Sequence, residues 1–182
     1  MRKLLILFGF LAFVAGTAKA QSQGFEVSGN YQFVRLNPGG GASGSNCQGV
    51  AGTAAVNVNN WLGVVGDFGG CKVTGLASGT SSHEINYLFG PRLSYHNYGR
   101  FTPYAQFLFG GVHATASATG FPSISDSSYG MTMGGGADFA VTKHVAFRAI
   151  QFEYFRTHFG GTGQNNLRIQ SALVYRWGGA SR

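Results

Sequence analysis

The histidines and serines of this chain are the side chains whose types could support nucleophilic or metal-based chemistry. The five histidines are His83, His96, His113, His144 and His158. They show neither the HxxxH nor the HExxH spacing that brings two imidazoles to one zinc ion. His83 and His113 have Ser81, Ser82 and Ser117 nearby in the sequence, and a Ser–His pair can attack an ester. Because segments rich in Ser and Thr supply such neighbours by chance, we predict no catalytic residue, no metal site and no cofactor.

Charged side chains are the second set that could do chemistry, and they are scarce. Only 10% of the 182 residues are charged, against about 25% in a typical soluble domain. The chain is also 44% apolar and contains 30 glycines. Four prolines without a Gly-X-Y period exclude collagen, and the apolar content argues against disorder. An ordinary soluble domain is excluded as well, because its surface needs more charge.

The first twenty residues have the pattern of a secretory signal peptide. Arg2 and Lys3 precede an apolar run over residues 4 to 14, and the small-x-small triplet 18 to 20 forms a cleavage site. A short membrane anchor is the alternative. Cleavage after Ala20 leaves residues 21–182 as one domain and lowers the net charge from +7 to +4, because three basic residues leave with the peptide. A nucleic-acid partner is therefore not expected.

Apolar and polar residues alternate along the rest of the chain, which is the period of a β-strand with two unlike faces. Phe25, Val27 and Tyr31 face one way, for example, while Glu26 and Gln32 face the other. The predicted strands are 25–34, 50–58, 62–70, 83–95, 101–114, 128–141, 145–156 and 166–177. The fourth alternates over more positions than an average soluble strand has, and it is long enough to cross a bilayer at a tilt.

The links between these strands alternate in length. Short turns follow strands two, four and six, whereas long Gly- and Ser-rich segments follow the others, at 37–48, 74–82, 115–127 and 157–165. This regularity is typical of outer-membrane barrels, which have short periplasmic turns and long outer loops. Aromatic residues near strand ends are expected to form girdles at the two membrane interfaces. They are Phe25, Phe33, Trp61, Tyr95, Phe101, Tyr104, Tyr129, Tyr154, Phe155, Tyr175 and Trp177.

The charges of the strands lie on the polar face, which would line the interior of such a barrel. We predict an interior network of ion pairs and hydrogen bonds that fills the lumen and sets the strand register. Its members are Glu26, Asp67, Glu84, Arg92, Asp138, Arg148, Glu153 and Arg168. Since acids outnumber arginines, some carboxylates are expected to be protonated or paired with Gln32, Gln106 or Gln170. Arg100, Lys143, Arg176 and Arg182 are assigned to the periplasmic end.

The seventh strand interrupts its own alternation. Arg148 and Glu153 are five residues apart, so a regular strand would turn one of the two charges into lipid. We predict a β-bulge between Ala149 and Gln151 that returns both side chains to the lumen. The alternative is that one of them lies near an interface and snorkels.

Two cysteines lie on either side of the predicted turn at Asn59 and Asn60. A hairpin at this turn pairs positions whose numbers sum to about 118 to 120, and Cys47 with Cys71 falls in that range. We expect them to lie opposite each other near the outer rim and to form a disulfide in the oxidising compartment. Two free thiols are the alternative.

Several short segments resemble the small outer-membrane β-barrel family related to the OmpA transmembrane domain, also called the porin family. These segments are 60–64, 67–68, 87–92, the Gly-Gly-Gly-Ala-Asp of 134–138, and 173–177. The resemblance implies an eight-stranded antiparallel up-and-down transmembrane β-barrel in the outer membrane of a Gram-negative bacterium. It also implies contact with outer-membrane lipid, and with the outer-membrane insertion machinery during assembly. The wall-tethering role of longer members is not expected, because only five residues follow Trp177.

Three functions are weighed from the residues of the lumen and of the outer rim. The leading expectation is a structural or surface-interaction protein with a lumen filled by side chains, whose long loops contact extracellular partners. The alternative is a small porin with a narrow or gated pore. The third is a lipid-modifying enzyme that uses a Ser and a His on the outer rim.

Overall fold

Eight strands make up the computed structural model, which describes residues 24–37, 44–95, 100–159 and 162–177. The strands are β1 (Phe25–Leu36), β2 (Ser45–Asn57), β3 (Leu62–Thr74), β4 (Thr80–Ser94), β5 (Phe101–Ala118), β6 (Ile124–Ala140), β7 (Val145–Phe159) and β8 (Thr162–Trp177). The predicted signal peptide, residues 1–20, lies outside the described residues, as does most of the short turn after β4. No helix among the described residues is long and apolar enough to cross a membrane.

The strands pair antiparallel in chain order, and β1 also pairs with β8, so the sheet closes into a barrel. At the closing seam Phe25 lies opposite Trp177 and Arg35 lies opposite Leu167. Closure gives every strand two partners, so backbone donors and acceptors are paired without water. The predicted eight-stranded antiparallel barrel is confirmed, including the outward direction of its apolar faces.

The strands are longer than predicted at the end of the barrel with the long links. The β5–β6 hairpin shows this most clearly, because β5 continues to Ala118 and β6 begins at Ile124. Hydroxyl groups bridge the two strands in this extension, Thr115 to Ser125 at 3.2 Å, for example. Small polar residues lie on both faces of this extension, so apolar and polar residues do not alternate there. The strands predicted from alternation are therefore too short at this end. Gly120 closes the turn with a φ of 85°, a conformation that favours glycine.

Side-chain oxygens close the short turns at the other end. Asn59 Oδ1 accepts hydrogen bonds from the backbone N–H groups of Trp61 (2.9 Å) and Leu62 (2.7 Å). Thr142 Oγ1 accepts one from Val145 N at 3.0 Å. Asn and Thr favour turns because their side chains can replace a backbone acceptor in this way. The predicted short turns after β2 and β6 are confirmed.

The predicted bulge in β7 is confirmed. Arg148 pairs with Asp138 of β6, but the next pair towards the other end is Ile150 with Ala137, so Ala149 has no partner. Ala149 and Ile150 both face outward, in contrast to the regular alternation on either side. Arg148 and Glu153 consequently both point into the barrel and are buried.

Deleting Ala149 should destabilise the barrel by up to about 2–4 kcal/mol, the cost of placing an arginine in lipid at the bilayer midplane. Without the extra residue, regular alternation would turn either Arg148 or the following inward residues outward. Urea unfolding in lipid vesicles, followed by tryptophan fluorescence, measures the loss. Ala149→Gly is the control, because it keeps the extra residue. Equal stability of the deletion variant and the wild type would contradict this role of the bulge.

Candidate functional site

The structure places all eight side chains of the predicted charge network inside the barrel. They are Glu26, Asp67, Glu84, Arg92, Asp138, Arg148, Glu153 and Arg168, and each is buried. Strand alternation accounts for this placement, because successive side chains of a strand point to opposite faces. The network therefore occupies the lumen, between strands that are far apart in the sequence.

Arg168 lies at the centre of one half of the network. Its Nη1 is 2.9 Å from Asp67 Oδ1, and its Nη2 is 2.6 Å from Glu153 Oε2. Its Nε also donates to Glu153 Oε2, at 2.7 Å. Glu153 is on the neighbouring strand β7, whereas Asp67 is on β3, which does not pair with β8. Arg168 therefore links two parts of the barrel wall across the lumen.

Arg148 and Arg176 share the carboxylate of Asp138 in the other half. Arg148 binds Asp138 in a bidentate manner, through Nε at 2.7 Å and Nη2 at 3.1 Å. Arg176 Nη2 donates to Asp138 Oδ2 at 2.6 Å, and Arg176 Nε lies 3.2 Å from Glu26 Oε1. The sequence pattern assigns Arg176 to the periplasmic end and does not predict this role. Its place on the same face of β8 as Arg168 is the signal that could have found it.

Tyr104 lies between two guanidinium groups of the network. The centre of its ring is 4.5 Å from Cζ of Arg92 and 4.6 Å from Cζ of Arg148. Its hydroxyl donates to Gln151 Oε1 at 2.5 Å. Such cation–π contacts offset part of the cost of burying two positive charges. The assignment of Tyr104 to an aromatic girdle is wrong, because the residue has the same parity as the buried Gln106 and faces the lumen.

The three glutamines expected to pair with carboxylates behave differently from one another. Gln106 Nε2 donates to Glu153 Oε1 at 2.8 Å. Gln170 Nε2 instead donates to Gln32 Oε1 at 3.3 Å, and Gln170 accepts from Asn30 Nδ2 at 2.9 Å. These amides satisfy one another because β1 and β8 are paired neighbours. Within the described residues, the buried Glu84 carboxylate makes neither an ion pair nor a side-chain hydrogen bond.

An apolar cluster fills the lumen towards the end with the long links. Val34, Leu88, Leu108, Val112 and Phe155 are all fully buried in it. The expectation that polar side chains fill the whole lumen is wrong, as is the assignment of Phe155 to a girdle. For Phe155 the reason is the bulge, which shifts the parity of the rest of β7 so that this ring points inward. The lumen thus contains apolar side chains as well as charged ones, and the buried Glu84 lies opposite Cys71 beside the cluster.

Cys47 and Cys71 form a disulfide inside this apolar cluster. Their Cα atoms are 5.5 Å apart, and their side chains are buried with the cluster. In the register, Cys47 lies opposite Val73 and Cys71 lies opposite Gly49. The two cysteines are therefore diagonal neighbours on one face rather than directly opposed, because the register sum is two higher than theirs. Diagonal neighbours on one face of a sheet are still close enough for side chains to meet.

Within the described residues, His113 hydrogen-bonds to a serine other than Ser81, Ser82 or Ser117. His113 Nδ1 lies 2.7 Å from Ser127 Oγ on β6, whereas Ser117 bonds to Ser123. No carboxylate orients His113 in the part of the chain that the structure describes. Across the same residues, no three His, Cys, Asp or Glu side chains come together in a way that could hold a metal ion.

Comparison with known proteins identifies one matching family and several similar structures. A family model described as the outer membrane protein beta-barrel domain matches residues 5–176. The chain is similar in structure to Ail of Yersinia pestis, with 18% identity, a TM-score of 0.63 and coverage of 86% of this chain and 99% of that chain. For the Neisserial surface protein NspA the identity is 16% and the TM-score 0.65, with coverage of 85% and 96%. For OprG of Pseudomonas aeruginosa the identity is 12% and the TM-score is 0.58, with coverage of 86% of this chain and 97% of that chain. A search of curated proteins finds no match.

Proposed function

Because this chain belongs to the outer membrane protein β-barrel family, and so to the bacterial outer membrane, we propose that it is a non-conducting barrel with a structural and surface-interaction role. The observation that carries the proposal is the pairing of Arg168 with Asp67 and Glu153 across the lumen. An eight-stranded barrel is only wide enough for its own side chains. Ion pairs that span its interior leave little room for a solute, and they hold opposite walls together.

The apolar cluster supports the same proposal from the extracellular half of the lumen. Phe155, Val112 and Val34 lie there with the Cys47–Cys71 disulfide, and all are nearly inaccessible to solvent. A hydrated ion would lose water among these apolar side chains, and the buried Glu84 opposite Cys71 is a polar group at this level. The lumen is therefore filled both by paired charges and by apolar packing.

The extended β5–β6 hairpin supports a surface-interaction role. Phe121 and Ile124 at its tip are 76% and 73% exposed. Thr119 N donates to Gly79 O at 2.8 Å, which braces the hairpin against the β3–β4 link. Large apolar side chains presented on a braced element favour contact with another molecule. Ail of Yersinia pestis, a barrel of the same fold, has been solved in complex with the heparin analogue sucrose octasulfate.

The proposal contains no enzymatic step. His113 and Ser127 are hydrogen-bonded on the exterior, but a Ser–His pair of a hydrolase is oriented by a third, usually acidic, group. Within the described residues, no such group contacts His113. Insertion by the outer-membrane assembly machinery, after removal of residues 1–20, is part of the proposal.

The folded protein should show no steady conductance in planar lipid bilayers. The physical reason is that both halves of the lumen are occupied by buried side chains. A general porin inserted into the same membrane is the control for bilayer quality, and a heat-dependent shift on a gel verifies that the barrel is folded. Silence or rare small openings support the filled lumen. Large and stable single-channel currents would contradict it and would favour the small-porin alternative.

A further inference from the structure

A groove lies on the outside of the barrel, over β2, β3 and β4. Its walls are the outward side chains of Val50, Phe68, Ile85 and Tyr87, and its volume is about 440 Å³. The groove exists because Gly70 lies directly between Val50 and Ile85 in the register and has no side chain to fill the gap. Its volume is within the range of about 300–1,000 Å³ that is usual for sites of small molecules. Since the walls face outward, the groove opens to the lipid.

Lys72 and His83 lie at the extracellular end of the groove. They are directly opposite each other in the register, one step of the alternation beyond Gly70 and Ile85, and both are exposed. Opposed residues of an antiparallel pair have Cβ atoms about 4.5–5.5 Å apart, so the two side chains can contact one anion together. Among the described residues, no acidic side chain pairs with Lys72.

The distribution of charge makes this end of the exterior positive. Arg35, Lys72 and Arg156 are exposed on outward positions in the extracellular half of the barrel. Five of the six acids of the chain are buried in the lumen, and Asp126 on the β5–β6 hairpin is the remaining one. An anionic lipid headgroup at this level therefore meets cations with few competing carboxylates.

We propose that this face binds one acylated, phosphate-bearing lipid of the outer leaflet. An acyl chain occupies the groove between Val50, Phe68, Ile85 and Tyr87, and a phosphate is held by Lys72 and His83. The order of the two parts matches that of a lipid in the outer leaflet. The apolar walls lie deeper in the membrane, and Lys72 and His83 lie closer to its outer surface. A lipid contacts both parts of the site at once, with its acyl chain in the apolar groove and its phosphate at Lys72 and His83.

Other occupants use only one part of the site. Free phosphate or a sulfated glycan would contact Lys72 and His83 but would leave the apolar walls uncovered. A second copy of the chain could cover the walls, but a two-fold interface centred on the groove would bring its Lys72 near this one. The charge and the groove therefore point to a lipid.

Lipid retention in the full protein tests the proposal. The barrel is inserted into phosphatidylcholine bilayers with or without diphosphoryl lipid A, extracted in mild detergent, and examined by native mass spectrometry. Lys72→Gln combined with His83→Gln should reduce the bound fraction of lipid A about five-fold. Gly70→Val should reduce it as well, because the new side chain occupies the groove.

Two variants on other parts of the exterior are matched controls. Arg156→Gln removes a cation of the same exterior level, and Gly29→Val adds a side chain to an outward glycine on β1. A Cβ atom meets its nearest neighbour at 3.6 Å at Gly70 and finds nothing within 4 Å at Gly29, so both positions have room for the first side-chain atom. Should Gly70→Val fail to show the heat shift of a folded barrel, Val50→Trp fills the groove from an exposed wall instead.

Five results would overturn the proposal. Two concern retention, which would be lost equally in the control and groove variants or unchanged in the groove variants. The others are displacement of the lipid by inorganic phosphate, a change of oligomeric state on Gly70→Val without a change in lipid, and a Lys72 variant that loses binding of a sulfated glycan but keeps its lipid. None of these measurements depends on whether the lumen conducts, so the proposal can fail or stand separately from the proposed function.

Discussion

Replacing Arg168 by methionine should lower the free energy of unfolding by about 3–5 kcal/mol. The reason is that Asp67 and Glu153, which are both fully buried, would keep their charges in the lumen and lose the guanidinium that pairs with them. Methionine has a similar length, so the change removes charge without leaving a large cavity. Urea titration of the barrel in lipid vesicles measures the effect through the fluorescence of Trp61 and Trp177.

Two comparisons separate this effect from a general loss of charge. Arg156→Met is the control, because that side chain is exposed on the exterior of β7, and a loss of about 0–1 kcal/mol is expected. Arg92→Met should fall between the two, since the Arg92–Glu26 distance is 3.5 Å and Glu26 also has Arg176 as a partner. Equal losses for Arg168→Met and Arg156→Met would contradict the role of the cross-lumen pairs.

A compensating variant makes the test more specific. Adding Asp67→Asn and Glu153→Gln to Arg168→Met removes the two uncompensated charges together with their partner. Most of the lost stability should return, because replacing a whole buried ion cluster is far less costly than removing one member. A triple variant as unstable as Arg168→Met alone would show that shape rather than charge explains the loss.

Replacing both Cys47 and Cys71 by alanine should lower the unfolding free energy by about 3 kcal/mol. The disulfide spans a sequence separation of 24 residues, so its removal releases a loop of that length in the unfolded chain. The loss appears as a lower urea midpoint in vesicles. A reductant present throughout the titration should lower the midpoint of the wild type by a similar amount and leave the double variant unchanged.

Thiol labelling provides the independent check of the disulfide. The intact chain, unfolded without reductant, should incorporate no alkylating reagent at Cys47 or Cys71, and mass spectrometry measures this directly. Two alkylated cysteines in that sample would contradict the cross-link. Because both residues are buried in the apolar cluster, the folded barrel should also resist reduction until it is unfolded.

The barrel itself could be predicted from local alternation. In β4, for example, Ile85, Tyr87 and Phe89 face outward while Glu84 and Arg92 face inward, as their parity indicates. A strand has a period of two wherever it lies, so the face of each residue needs no knowledge of its partners. The β7 bulge could be predicted for the same reason, since two charges five residues apart cannot share a face without it.

The contents of the lumen were harder to predict. Tyr104, Phe155 and Arg176 have inward parity, but residue type suggested an interface position for each. An aromatic ring or a terminal arginine suits both places, so the local pattern does not decide between them. Likewise, paired positions of β2 and β3 sum to 120, at the upper end of the predicted range, whereas Cys47 and Cys71 sum to 118 and are diagonal neighbours rather than opposed ones.

By itself, the sequence determined the number of strands, their order and the face on which each charge lies, because these depend on periodicity and on the lengths of the links. Only the tertiary structure decided which charges pair. Arg168 and Asp67 are 101 residues apart and on strands that do not neighbour each other. Their meeting depends on the closure and stagger of the whole barrel, and no single strand or hairpin contains that information.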